Sequence, residues 1–86
     1  MTRSEKKFQL NWLYDSIIIT GRKYLDDPTR ESLFKLISYG FDVGMYAPLK
    51  VVRAFNLFMA KDSKENFLLF INSVRKKRGL RILKGL

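Results

Sequence analysis

The stretch that decides the fold is PLKVVRAFNLFMA, residues 48–60. Its apolar side chains recur at helical spacing and leave a narrow polar edge made of Lys50, Arg53 and Asn56. Pro48 suits the first position of a helix, because its missing N–H would have no partner there. We therefore predict a helix over 48–60 that the other helices surround and that forms the centre of the core.

A second helix is predicted just upstream, over 28–39. Asp27 precedes Pro28 and can cap the free amides of a first turn that begins at the proline. The predicted inner stripe of this helix consists of Leu33, Phe34, Leu36 and Ile37.

The end of this second helix is predicted at Gly40. Glycine is the residue that most readily adopts the left-handed conformation that closes a helix, and Phe41 would then fold back onto Leu36. Residues 40–47 are accordingly predicted to form a loop. Tyr39 and Tyr46 flank it, so they are the two aromatic residues we consider for stacking on a nucleic-acid base.

The first helix is predicted over 4–24. Thr2 and Glu5 have the spacing of a capping box, and apolar residues follow at helical spacing. The β-branched run at 17–20 is also typical of a short strand. We favour a helix there, because no other segment offers that strand a partner.

The last helix is predicted over 63–78, opened by Asp62 and Glu65 in a second capping box and ended by Gly79. Its predicted inner face consists of Phe67, Phe70, Ile71 and Val74. In the basic tail that follows, Leu80, Leu83 and Leu86 lie three apart, which favours a short amphipathic turn. The whole pattern predicts an all-α protein, a compact bundle of about four short helices in a single domain spanning 1–86.

Composition excludes several kinds of chemistry. The 86 residues include no Cys and no His, which removes thiolate chemistry, cysteine-based metal sites and the commonest general base. The adjacent Asp26 and Asp27 are better explained as a helix cap than as an acid and base pair. We expect no enzyme, no catalytic residue, no metal and no cofactor.

Charge is the strongest functional signal. The formal net charge is +9, and no acidic residue follows Glu65. Six cations crowd the end of the chain: Arg75, Lys76, Lys77, Arg78, Arg81 and Lys84. One or two cations would complement a helix dipole, but six without a nearby acid predict contacts with nucleic-acid phosphates, either DNA or RNA. Lys50 and Arg53 would extend this surface if the last two helices pack antiparallel.

The main alternative is a protein-interaction module, such as an inhibitor or a small subunit. Four short helices can leave apolar surface uncovered, and that surface would dock another protein or a second copy of the chain as a homodimer. Contact of the tail with an anionic membrane surface is a weaker alternative, because the tail is short. No apolar run is long enough to predict a transmembrane segment. We expect a soluble protein in the cytoplasm, or in the nucleus of a eukaryotic cell.

Overall fold

The computed structural model describes the backbone of residues 3–86 and the side chains from Gln9 onwards. It contains four α-helices and, over the described residues, no strand. The helices are α1 (Arg3–Asp26), α2 (Arg30–Tyr46), α3 (Leu49–Ala60) and α4 (Lys64–Lys77). The predicted all-α class with four short helices is confirmed. The capping box predicted at Thr2 and Glu5 lies outside the described residues and side chains.

The chain divides into two compact units, and each is a pair of packed helices. The first unit ends at Ala47 and pairs α1 with α2, and the second spans Pro48–Leu86 and pairs α3 with α4. Within each unit a connection of three residues joins the helices, and such short connections favour antiparallel neighbours.

In the first unit, α1 continues without interruption through the β-branched run at 17–20, as predicted. Ile17 is fully buried and packs in the face that also carries Leu13 and Tyr14. Burial of these side chains outweighs the modest helix propensity of isoleucine and threonine. The buried residues of α2 are Ser32, Leu36 and Val43.

Both predicted ends of the second helix are wrong. The cap is Thr29 rather than Asp27: its hydroxyl accepts a hydrogen bond from the Ser32 N–H at 3.1 Å. The helix also continues through Gly40 and Gly44, because Val43 follows Leu36 by two turns and is buried on the same face. It ends where Ala47 takes an extended conformation before Pro48, as the residue before a proline generally does.

The predicted inner stripe of that helix is also partly wrong. Leu36 is buried and Leu33 is half-buried, but Phe34 and Ile37 lie on the exposed side. Phe41 does not fold back on Leu36: it is part of α2 and is 73% exposed. Apolar residues occur on both sides of α2, so periodicity alone did not identify the side that packs against α1.

In the second unit, aromatic pairs set the register between α3 and α4. The ring centroids of Phe58 and Phe67 lie 5.1 Å apart, and those of Phe55 and Phe70 lie 5.8 Å apart. Phe55 precedes Phe58 by three residues in α3, whereas its partner Phe70 follows Phe67 by three residues in α4. The two helices therefore run antiparallel. The predicted inner face of α4 is confirmed, since all four of its residues are buried.

The predicted enclosure of α3 is wrong. Val51, Ala54, Phe55 and Phe58 are buried, but Leu49 and Leu57 are more than half exposed. The helix begins at Leu49, so that Pro48 is its N-cap residue rather than its first helical residue. A hairpin partner covers one face of a helix, and apolar residues on the other side stay in solvent.

The turn between α3 and α4 is closed by Ser63 and Asn66, not by the capping box predicted at Asp62 and Glu65. The Ser63 hydroxyl accepts a hydrogen bond from the Asn66 N–H at 3.1 Å. The Asn66 side-chain amide donates to the carbonyls of Leu57 and Lys61 at 3.2 and 3.0 Å. Asn66 therefore satisfies carbonyls at the end of α3 while its own N–H is capped at the start of α4.

None of the helices in the described part of the chain is both long enough and apolar enough to cross a lipid bilayer.

Candidate nucleic-acid interface

The C-terminal end of α4 is closed by a Schellman motif centred on Gly79. Gly79 has a φ of 75°, the left-handed conformation in which glycine has no Cβ penalty. Its N–H donates to the Lys76 carbonyl at 3.1 Å, and the Leu80 N–H donates to the Arg75 carbonyl at 2.8 Å. The prediction that Gly79 ends the helix is confirmed, and the motif turns the chain sharply back at that point.

The tail beyond Gly79 is not the predicted amphipathic turn. Residues 80–86 form no helix and run back along α4, held by two residues of that helix. The Asn72 side chain donates to the Leu83 carbonyl at 2.9 Å and accepts from the Leu83 N–H at 2.7 Å. The Arg75 Nε donates to the Arg81 carbonyl at 2.6 Å. These side chains supply the backbone partners that a helical turn would otherwise have provided.

We call the six clustered cations the C-terminal basic segment: Arg75, Lys76, Lys77, Arg78, Arg81 and Lys84. Its members differ in exposure. Arg75 and Arg78 are half-buried, because each follows a buried residue of α4 by four positions. The other four cations are exposed to solvent: Lys76, Lys77, Arg81 and Lys84.

The four exposed cations are not neutralised by any carboxylate among the described side chains. Over the residues with described side chains, none of Lys76, Lys77, Arg81 and Lys84 forms an ion pair with a carboxylate. The ion pair that does occur there joins Lys35 to Glu31 on α2, at 3.4 Å. No acid follows Glu65 in the sequence, so the positive potential of this segment is not cancelled by its neighbours in the chain.

Lys50 and Arg53 lie at the same end of the second unit as the basic segment. Extending the register of the aromatic pairs places Val51 level with Val74, and both are fully buried. Lys50 is then level with Arg75. Both Lys50 and Arg53 are exposed. The aromatic pairs show that α3 and α4 pack antiparallel, which is the condition under which we expected these two residues to extend the cationic surface.

The two tyrosines considered for base stacking do not flank a loop, because both belong to α2. Tyr39 is half-buried and makes an edge-to-face contact with Trp12, with ring centroids 6.3 Å apart. Tyr46 is 40% exposed. An aromatic ring that already packs edge-on against another is less available to a base.

Sequence reasoning missed Asn72 and Asn66, which organise the two ends of α4. The available signal was weak: asparagine is a poor residue for a helix interior, and a side chain that bonds to backbone elsewhere explains its presence there. Asn72 determines where Arg81 and Lys84 lie, because it fixes Leu83 between them.

Comparison of the chain with models of known protein families, with curated proteins and with solved structures found no match.

Proposed function

We propose that this protein binds nucleic acid through the phosphate backbone, with the C-terminal basic segment as the main contact surface. The observation that supports this most strongly is the set of four exposed cations without carboxylate partners among the described side chains: Lys76, Lys77, Arg81 and Lys84. The role is one of binding rather than catalysis, in keeping with a chain that has neither His nor Cys.

The affinity in this proposal comes from counterion release. Each phosphate that a lysine or arginine neutralises frees a condensed cation from the nucleic acid, and this gain is independent of base sequence. Arg75 and Arg78 contribute less, because they are half-buried and the Arg75 Nε already donates to Arg81. Lys50 and Arg53 add contacts for a ligand that covers the same end of the second unit.

The test is a binding titration over a series of salt concentrations. Fluorescence anisotropy of labelled DNA duplex, single-stranded DNA and RNA duplex would give the dependence of log affinity on log salt concentration. Four phosphate contacts on a DNA duplex give a slope of about −3.5, and recruitment of all six cations steepens it to about −5. A slope near zero for all three probes would refute the proposal.

A matched pair of variants separates the basic segment from net charge. One variant carries Gln at the four exposed cations Lys76, Lys77, Arg81 and Lys84. The control carries Gln at four exposed cations elsewhere, Arg22, Lys23, Lys61 and Lys64. Both lose the same formal charge, but we expect only the first to flatten the slope. Equal losses in the two variants would show that net charge, and not this segment, is responsible.

A second candidate function is docking of another protein, and the exposed apolar side of α2 favours it. Phe34, Phe41 and Met45 are each more than 60% exposed. A photoreactive residue at position 41 should form adducts of defined mass with such a partner, whereas one at the exposed Asn56, on α3, should form few. Equal adduct yields at the two positions would count against docking through this face.

A further inference from the structure

The outer side of α2 carries a continuous apolar stripe. It consists of Phe34, Ile37, Phe41 and Met45, which are 64%, 41%, 73% and 73% exposed. Their spacing of three, four and four residues places them on one face of the helix, opposite Leu36 and Val43. A helix that is apolar on two faces has one face available for a further partner.

The stripe is large for a surface that stays in water. Taking ~200 Å² for one complete large side chain, these four expose roughly 500 Å², near the upper end for the largest apolar patch of a monomer. Two such stripes facing each other would bury about 1,000 Å². With the polar residues alongside them, the total reaches the ~1,200 Å² at which specific interfaces begin.

Charge identifies the occupant that fits this face. The whole chain carries +9, yet the four charged residues of α2 cancel: Arg30 and Lys35 against Glu31 and Asp42. Each of the other three helices has a net positive charge over its own span. α2 is therefore the helix at which two copies of this basic chain can approach with the least repulsion.

The order of the charges along α2 also favours an antiparallel pairing. Lys35 and Asp42 lie on the same flank of the stripe, seven residues apart. When two copies of α2 pair antiparallel about a two-fold axis, Lys35 of each copy is level with Asp42 of the partner subunit, so the opposite charges meet twice. The same arrangement sets the two helix dipoles in opposite directions, and Phe41 of each copy lies level with position 36 of the partner subunit, between the partner's Phe34 and the partner's Ile37.

We propose that the stripe is a homodimer interface in which two copies of α2 pack antiparallel, with the Lys35 to Asp42 contact made twice along the same flank. This inference rests on the second candidate function, docking through α2, and it does not depend on nucleic-acid binding. It names the docked protein as a second copy of this chain.

The first experiment is sedimentation equilibrium over a range of protein concentrations. The intact chain should show twice the mass of a single chain, 10.2 kDa. Phe41→Ser should shift the equilibrium to the monomer, while Leu57→Ser, a matched change at a 52% exposed position on α3, should leave the dimer intact. A chain that stays monomeric, or a dimer that tolerates Phe41→Ser, would overturn the inference.

The second experiment tests the register with charge reversals. Lys35→Asp alone and Asp42→Lys alone should each weaken the homodimer, because each puts like charges at both contacts. Mixing the two variants should restore association as a heterodimer, in which both contacts again join opposite charges. Reversals that change neither the homodimers nor the mixture would exclude the antiparallel pairing.

Failure of the dimer leaves the salt-series result untouched, because the salt titration concerns α4 and the tail, whereas these variants lie on α2. A monomer that still forms adducts of another mass through position 41 would retain the docking function and refute the second copy as its occupant.

Discussion

The side-chain amide of Asn72 forms a two-point hydrogen-bonded pair with the main chain of Leu83, eleven residues further along the chain. Its Nδ2 donates to the Leu83 carbonyl at 2.9 Å, and its Oδ1 accepts from the Leu83 N–H at 2.7 Å. A residue inside α4 thus replaces the backbone partner that an extended strand would have in a sheet.

Asn72→Ala should release the tail from α4. Each hydrogen bond of this kind contributes about 1 kcal/mol, so we expect the Leu83 amide to exchange with solvent at least ~5-fold faster. Amide hydrogen exchange measured by NMR would show it. Asn56→Ala, on the exposed side of α3, is the control and should leave this rate unchanged. Unchanged protection of Leu83 in the Asn72 variant would contradict the pairing.

Gly79→Ala should destabilise the second unit by about 1 kcal/mol, because alanine pays a steric penalty in the left-handed conformation. An added Cβ would meet no atom within 4 Å, so the cost is one of backbone conformation and not of a clash. Urea denaturation measures the change. Gly85→Ala is the matched control, since Gly85 has no positive φ and also has open space around it. Equal effects of the two substitutions would argue against the helix-ending motif.

Ser63→Ala should lower the free energy of unfolding by about 1 kcal/mol, because it leaves the Asn66 N–H without its cap. Ser63→Asp should retain most of the stability, since a carboxylate caps equally well and interacts favourably with the helix dipole. Thermal unfolding followed by circular dichroism distinguishes the two. If alanine and aspartate behave alike, the hydroxyl is not acting as a cap.

Phe58→Ala should cost about 3–5 kcal/mol, because the ring is fully buried against Phe67 and its removal leaves a cavity. Phe41→Ala removes the same atoms from a position that is 73% exposed, and we expect a change within about 0.5 kcal/mol for the folding of a single chain. Denaturation at concentrations below any self-association measures both. Similar losses at the two positions would mean that the assignment of buried and exposed faces is wrong.

Much of the fold could be predicted from short-range patterns. The number of helices, the inner face of α4 and the end of α4 at Gly79 were predicted correctly, because each depends on a few neighbouring residues. The buried side of α2 was predicted only in part. Leu33, Phe34, Leu36 and Ile37 spread over an arc of about 160° at 100° per residue, so hydrophobic periodicity did not show which edge of that arc is buried.

The candidate site was also predicted only in part from the sequence. The excess of cations near the end of the chain follows from composition, and the six residues could be named without coordinates. Which of them face solvent could not be named, because exposure depends on the packing of α4 against α3 and on the path of the tail. Arg75 illustrates this: its Nε bonds the Arg81 carbonyl, a contact between residues that the sharp turn at Gly79 brings together.

By itself the sequence determined the helical class, the absence of His and Cys, and the positive charge of the C-terminal end, all of which are properties of residue types and of local spacing. Tertiary structure alone decided how far α2 extends, which of its two apolar faces is buried, and how the tail lies on α4. The physical reason is that burial and long-range hydrogen bonds depend on which surface comes to cover each residue. Leu36 and Phe34, two positions apart in one helix, differ in exposure from 0% to 64% for that reason.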